Sequence, residues 1–191
     1  MKYVSIDIET TGLNPETCDI IEFGAVVDDT RWWPNGDYPL TVEELPTFHA
    51  YVVPVDGTLR GEPYALGMHS EIFKKIANSG IRRPAEDEDG KAMCIYPHDL
   101  VNQFSKWITK EGFHQPILAA GKNFAGFDLR FIRRLPKWTI PFSHRTIDPA
   151  MLYFRPLEDD GPPSSKVCME RAGLTGEVAH TAVADAQMVV E

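Results

Sequence analysis

Tyr3-Val-Ser-Ile-Asp-Ile-Glu-Thr-Thr-Gly-Leu13 is the stretch that decides how the rest of this chain is read. Its run from Val4 to Ile8 is largely β-branched and apolar, and Gly12, Asn14 and Pro15 close it, so the spacing predicts a strand. Side chains on a strand alternate with period two, which puts Asp7 and Glu9 on one face. Two carboxylates on one face of a buried strand repel each other and are costly to desolvate. Either a divalent cation lies between them and removes both costs, or the strand end delivers both acids to water.

Two further segments bear on that choice. Asn123-Phe-Ala-Gly-Phe-Asp128 follows the apolar run Pro116-Ile-Leu-Ala-Ala120 and leads into a helical stretch. His180-Thr-Ala-Val-Ala-Asp185 opens another helix near the C-terminus, its histidine five residues before the aspartate. Three acidic motifs in this order resemble the DEDD family of 3′→5′ exonucleases. The histidine spacing resembles the DEDDh branch, which includes polymerase proofreading subunits, oligoribonuclease and ribonuclease T. Asp-Ile-Glu-Thr-Thr-Gly-Leu matches the family's Asp-x-Glu-Thr-Thr-Gly-Leu closely; the second motif matches in a looser form, and the loops between motifs depart from the pattern.

The resemblance implies an α/β, ribonuclease H-like fold: a mixed sheet with its first three strands antiparallel and the rest parallel, flanked by helices. It implies Asp7, Glu9, Asp128 and Asp185 as ligands of two divalent ions, with Asp7 bridging both. Carboxylate oxygens suit Mg²⁺ or Mn²⁺. In such sites two ions neutralise the charge that builds on phosphorus, and one lowers the pKa of a water. His180 is the implied general base, since imidazole titrates near neutral pH. Residues five apart on a helix are about 140° apart, so His180 is expected on the loop just before the helix that carries Asp185. The resemblance also implies substrate contacts from Thr10, Thr11, Leu13 and Phe127. For Phe127, packing beneath Asp128 is the alternative role. Asp148 and Glu22 are acids in apolar surroundings that stay outside the catalytic set.

The implied activity is hydrolysis at the 3′ end of single-stranded DNA or RNA, releasing nucleoside 5′-monophosphates. An oligoribonuclease-type enzyme acting on very short RNA is the alternative within the class. Outside it stand a non-catalytic nucleic-acid or protein-binding module and a hydrolase of small phosphoesters. A module of the first kind is expected to lose a ligand or the histidine, and all five residues are present.

A chain of 191 residues suits one domain, 1–191, with material for a substantial core. No stretch approaches the roughly 20 apolar residues of a membrane span, and no leader precedes the first strand, so a cytoplasmic protein is expected. Cys18, Cys94 and Cys168 have no paired spacing and read as free thiols. The net charge of −9 argues against coating long nucleic acid and suits gripping a few terminal nucleotides. Acids gather in Glu86-Asp-Glu-Asp89 and Glu158-Asp-Asp160, in Pro- and Gly-flanked loops. Lys122, Arg130, Arg133, Arg134 and Lys137 gather beside the second motif, as a phosphate path or as a solvated helix face. The partners implied are single-stranded DNA or RNA 3′ ends, with a polymerase or another replication or repair protein as a further candidate.

Strands are predicted over 2–9, 19–28 and 48–53, then 116–120, with a short extended piece at 146–149. Helices are predicted over 69–79, around Leu100–Ile108 with Gly112 as the stop, near 125–135, at 150–154, from Ser164 or Ser165 to about Arg171, and from Thr181 onward. Between them lie an insertion at 29–47 and an acidic loop at 82–97. The insertion's Trp32 and Trp33 either stack on bases or fold back on the sheet, and it is a candidate docking surface or substrate clamp.

Overall fold

The computed structural model describes residues 1–31, 41–79, 92–175 and 180–191. Six strands form one sheet: β1 (Lys2–Thr10), β2 (Ile20–Asp29), β3 (Thr47–Val52), β4 (Met93–Ile95), β5 (Ile117–Ala120) and β6 (Phe142–Ile147). Across the sheet they stand in the order β4-β3-β2-β1-β5-β6. The pairs β1–β2 and β2–β3 are antiparallel, whereas β3–β4, β1–β5 and β5–β6 are parallel. This is the mixed sheet that the sequence predicts. Seven α-helices are described with it: α1 (Pro63–Met68), α2 (Ser70–Ser79), α3 (Pro97–Lys110), α4 (Asp128–Ile132), α5 (Pro149–Leu152), α6 (Ser165–Ala172) and α7 (Ala182–Val190).

Alternation along β1 and β2 sorts the side chains. Val4, Ile6 and Ile8 share the main core with Phe23, Ala25 and Val27, and with Leu100, Val101, Phe104 and Ile108 of α3. Those α3 residues recur at helical spacing and form one apolar stripe. Phe23, Phe48 and Phe104 meet edge to face with centroids 5.2–5.9 Å apart. Each such side chain adds about 1.5–3 kcal/mol by leaving water. The opposite face of β1 and β2 carries Ser5, Asp7, Glu9, Glu22, Gly24 and Val26. There α7 lies across the strands, with Ala186 packed on Val26, while α2 brings Ile72 to Tyr51 and Ile21.

Several boundaries differ from the sequence reading. The region read as a polar loop, 82–97, ends in β4, an edge strand parallel to β3. Three residues are too few to show a period. Its acidic part lies outside the described residues, as do Trp32 and Trp33. Of the 29–47 insertion, the described part holds a 3₁₀ turn, Val42–Glu44. The strand glimpsed at 146–149 begins earlier, at Phe142, and the helix expected over 125–135 is the five-residue α4 flanked by turns. α1, unread in the sequence, starts on Pro63, where a proline's missing N–H costs nothing. The caps of α6 are as expected: Ser164 Oγ accepts from the Val167 amide at 3.3 Å, and Gly173 ends the helix at φ 77°. All three cysteines are buried and free. Among the described residues no helix is long and apolar enough to cross a membrane.

Candidate active site

The acids of the first motif stand where strand alternation puts them, Asp7 opposite Gly24 and Glu9 opposite Glu22. The register then shifts: Thr10 pairs with Ile20, so Ile21 is an extra residue on β2. Such a bulge bends the strand and re-aims its side chains at the end of the sheet. The helix α7 brings Asp185 over the same spot. Oxygens of Asp7, Glu9 and Asp185 lie within 4.8 Å of one another, as a metal-ligand set would. Asp128, at the start of α4, is buried outside that trio and accepts the Ile8 amide on Oδ1 at 3.2 Å.

Burial, with mutual repulsion for Asp7, Glu9 and Asp185, raises these carboxyls above their ordinary values. Asp7 is pushed well above its ordinary value, by desolvation first and then by Asp128, Asp185, Glu9 and Glu22. Desolvation, with Asp185, Glu22 and Asp128, pushes Glu9 up to about 8. Asp128 reaches about 7 through burial, opposed by its backbone hydrogen bonds. Asp185 reaches about 6, raised by desolvation and Glu22 and lowered by His180. Asp185 Oδ1 is also buried without a hydrogen-bond partner. A desolvated, mutually repelling set of hard oxygens with an orphaned acceptor fits a divalent cation.

His180 is exposed and sits on the loop residue before Thr181, the N-cap of α7. Its φ is 51°, in the left-handed region. The loop position matches the sequence reading.

Residues 4–66 match the family model RNase_T, described as exonuclease. No match was found among curated proteins. Among solved structures, E. coli Exonuclease I in complex with a dT13 oligonucleotide is 19% identical, with a TM-score of 0.59 over 99% of this chain and 39% of that one. The zinc-bound complex of E. coli Exonuclease I with single-stranded DNA is 17% identical, with a TM-score of 0.60 and coverage of 99% and 39%. A moderately thermophilic Exonuclease I from Methylocaldum szegediense is 16% identical, with a TM-score of 0.57 and coverage of 99% and 38%. At such identities the likeness is one of fold, and this chain spans about 39% of the length of the first of these structures. The ribonuclease H-like exonuclease fold is the one observed.

The other residues that the sequence singles out divide by exposure. Leu13 is 72% exposed, with its amide donating to Glu62 Oε1 at 3.2 Å. Thr10 is buried and its hydroxyl donates to the Gly12 carbonyl at 2.8 Å. Thr11 is fully buried, and its hydroxyl bridges the Arg60 carbonyl and the Asp19 amide, so it ties two loops together. Phe127 is half-buried against Phe131, with centroids 5.1 Å apart. In the basic group, Arg134 pairs with Glu16, while Arg130, Arg133 and Lys137 are exposed. Asp148 caps α5 by accepting the Ala150 amide at 2.8 Å and also accepts the Asn123 amide at 3.1 Å, a structural role.

Two further residues stand at the site, and the sequence reading assigns neither of them to it. His69, buried at the junction of α1 and α2, places Nε2 3.3 Å from Glu9 Oε2. Desolvation lowers its pKa below the ordinary imidazole value, against the pull of Glu22. Nothing local marks it, because sixty residues separate it from Glu9. Glu22, which the sequence reading leaves outside the catalytic set, comes opposite Glu9 through a hairpin register that depends on a nine-residue loop whose geometry the residue types do not fix.

Proposed function

We propose that this chain is a metal-dependent 3′→5′ exonuclease that removes nucleoside 5′-monophosphates from the 3′ end of single-stranded nucleic acid. One observation carries the reading. Oxygens of Asp7, Glu9 and Asp185 converge within 4.8 Å, with Asp185 Oδ1 buried and unpartnered, beside an exposed histidine that leads into the same helix. The family match over 4–66 and the fold likeness to Exonuclease I structures solved with dT13 and dA16 oligonucleotides support it.

Asp7, Glu9, Asp128 and Asp185 would hold two Mg²⁺ or Mn²⁺ ions, which supply charge neutralisation at the phosphate and acidify a water. His180, outside the buried carboxylate cluster, takes the proton from the attacking water as its oxygen bonds to phosphorus. The P–O3′ bond then breaks, and the departing O3′ takes a proton from solvent to leave the shortened strand with a 3′-hydroxyl. The β1 backbone at Thr10 and the exposed Leu13 side chain, in the turn that follows the strand, lie beyond the acids, suited to meeting the terminal nucleotide. Exposed Arg130, Arg133 and Lys137 offer phosphate contacts, so binding should weaken as salt rises.

The test is product analysis on 3′- and 5′-labelled DNA and RNA of several lengths, with Mg²⁺, Mn²⁺ or EDTA, beside Asp7→Ala. Stepwise 3′ shortening to monophosphates, lost with EDTA and in Asp7→Ala, is the expected result. Folded, metal-loaded protein that cleaves no polymer overturns the reading. Relative rates on DNA, RNA and very short RNA assign the substrate.

A further inference from the structure

We propose that Glu22, held by His49, is a positioning residue: it caps helix α7 from the sheet and so fixes where His180 and Asp185 meet the other acids. The proposal deepens the exonuclease reading and rests on it for its activity arm alone.

The start of a helix leaves backbone N–H groups without intrahelical acceptors, and an N-cap side chain normally takes one of them. Thr181 occupies that position in α7 but makes no side-chain cap hydrogen bond. The acceptor comes from β2 instead. Glu22 Oε2 accepts the Ala182 amide at 3.3 Å, across a sequence separation of 160 residues. That contact requires α7 to lie almost on the strand. Gly24 permits it, because a Cβ there would stand 2.3 Å from the Ala182 carbonyl carbon.

The second oxygen of Glu22 is also engaged. Oε1 lies 2.6 Å from His49 Nε2 in a hydrogen bond. The His49 ring rests edge-on against Tyr51, centroids 4.8 Å apart, and the Tyr51 hydroxyl accepts from Lys75 Nζ at 3.0 Å. Glu22 is 1% exposed, and a carboxylate so buried needs partners on its oxygens. Here they are a helix start and an imidazole. This separates Glu22 from its cross-strand neighbour Glu9 and from Asp185, whose Oδ1 has no partner. Glu22 stands among the metal-ligating acids with both oxygens already taken.

The same cap sets the place of Asp185 and His180. Asp185 is the fourth residue of α7, and its amide donates to the Thr181 carbonyl at 2.9 Å in the first helical turn. His180 lies just ahead of the cap, in a left-handed conformation. Both therefore take their position from where α7 begins, and Glu22 fixes that point against the strand carrying Gly24.

The experiment uses the full chain with Glu22→Ala, Glu22→Gln and His49→Gln. Its readouts are hydrogen exchange of the α7 amides, Mn²⁺ affinity by calorimetry, and kcat and KM on a labelled oligonucleotide. In Glu22→Ala the amides of residues 182–185 should exchange faster, while those of β1 and α3 keep their protection. Mn²⁺ affinity and kcat should fall about 10–100-fold, the usual effect of losing an outer-shell partner, with KM nearly unchanged. Glu22→Gln, whose amide oxygen still accepts from Ala182, should recover most of both, and His49→Gln should show a smaller loss in the same direction. If Glu22→Ala does not fold, the Gln variants carry the test.

Unchanged α7 exchange in the altered proteins overturns the proposal. So does a Glu22→Gln loss as deep as that of Glu22→Ala, which would make Glu22 a metal ligand. If the unaltered protein cleaves nothing, the exonuclease reading fails, and the exchange and Mn²⁺ arms still judge this one.

Discussion

Gly24 of β2 lies directly beneath Ala182 of α7, so close that an added Cβ would meet the Ala182 carbonyl oxygen at 2.4 Å. The obstacle is backbone on both sides, and no rotamer relieves it. Gly24→Ala must lift the start of α7 and withdraw Asp185 from Asp7 and Glu9. Overpacking of this kind costs about 1–3 kcal/mol. Thermal unfolding should register a loss of that order, and Mn²⁺ binding should weaken along with nuclease activity. Full Mn²⁺ affinity in the variant would mean that the helix tolerates the displacement.

Much of this arrangement can be read from residue types, and its limits follow from distance along the chain. The alternation of Val4 to Glu9 gives both the strand and the shared face of Asp7 and Glu9, because strand period is local. The placement of His180 before the helix follows from helical geometry once the motif resemblance assigns His180 and Asp185 to one site. What stays hidden depends on pairings that no local pattern encodes. The extra residue at Ile21 emerges only from the β1–β2 register. His69 reaches Glu9 from the junction of α1 and α2, where the sequence shows a helix from residue 69 onward and no sign of α1 before it. β4, at three residues, is defined by its neighbour β3 rather than by its own pattern.

Without divalent metal, the fold should lose stability as pH rises. Glu9, Asp128 and Asp185 titrate at about 8, 7 and 6 in the folded chain, above the values near 4 that they take when unfolded. Over that window the folded chain keeps protons that the unfolded chain has released, so stability falls with rising pH. It is fully present below the unfolded values and lost as pH passes through the folded ones. In EDTA, Tm should therefore be lower at about pH 8.5 than at about pH 5.5. Mn²⁺ should close that gap, since a ligand at 100 Kd adds about 2.7 kcal/mol and competes with protons for the same oxygens. A Tm in EDTA that climbs steadily across this range would contradict the burial of these acids.

The contact of His69 Nε2 with Glu9 Oε2, at 3.3 Å, leaves Glu9 its other oxygen for a cation and limits its rotation. His69→Ala removes that restraint and opens space in a buried junction. Mn²⁺ affinity should fall about 10–100-fold, as for other outer-shell losses. His69→Gln, which retains a donor, should fall less. Calorimetry on both variants distinguishes this from a simple loss of packing, in which the two would weaken equally.

His180 offers a cleaner separation between metal binding and proton transfer. It is exposed and, among the described residues, belongs to no ligand trio, yet its φ of 51° means that most replacements would strain the loop. Asparagine visits that left-handed region more readily than other non-glycine residues, so His180→Asn keeps the backbone while removing the imidazole. Mn²⁺ affinity and Tm should stay near those of the unaltered protein. The turnover number should drop about 10²–10⁴-fold, the range expected when a positioned general base is lost. Single-turnover cleavage of an end-labelled strand measures that step directly. A variant that still cleaves at the original rate would assign the proton to another acceptor.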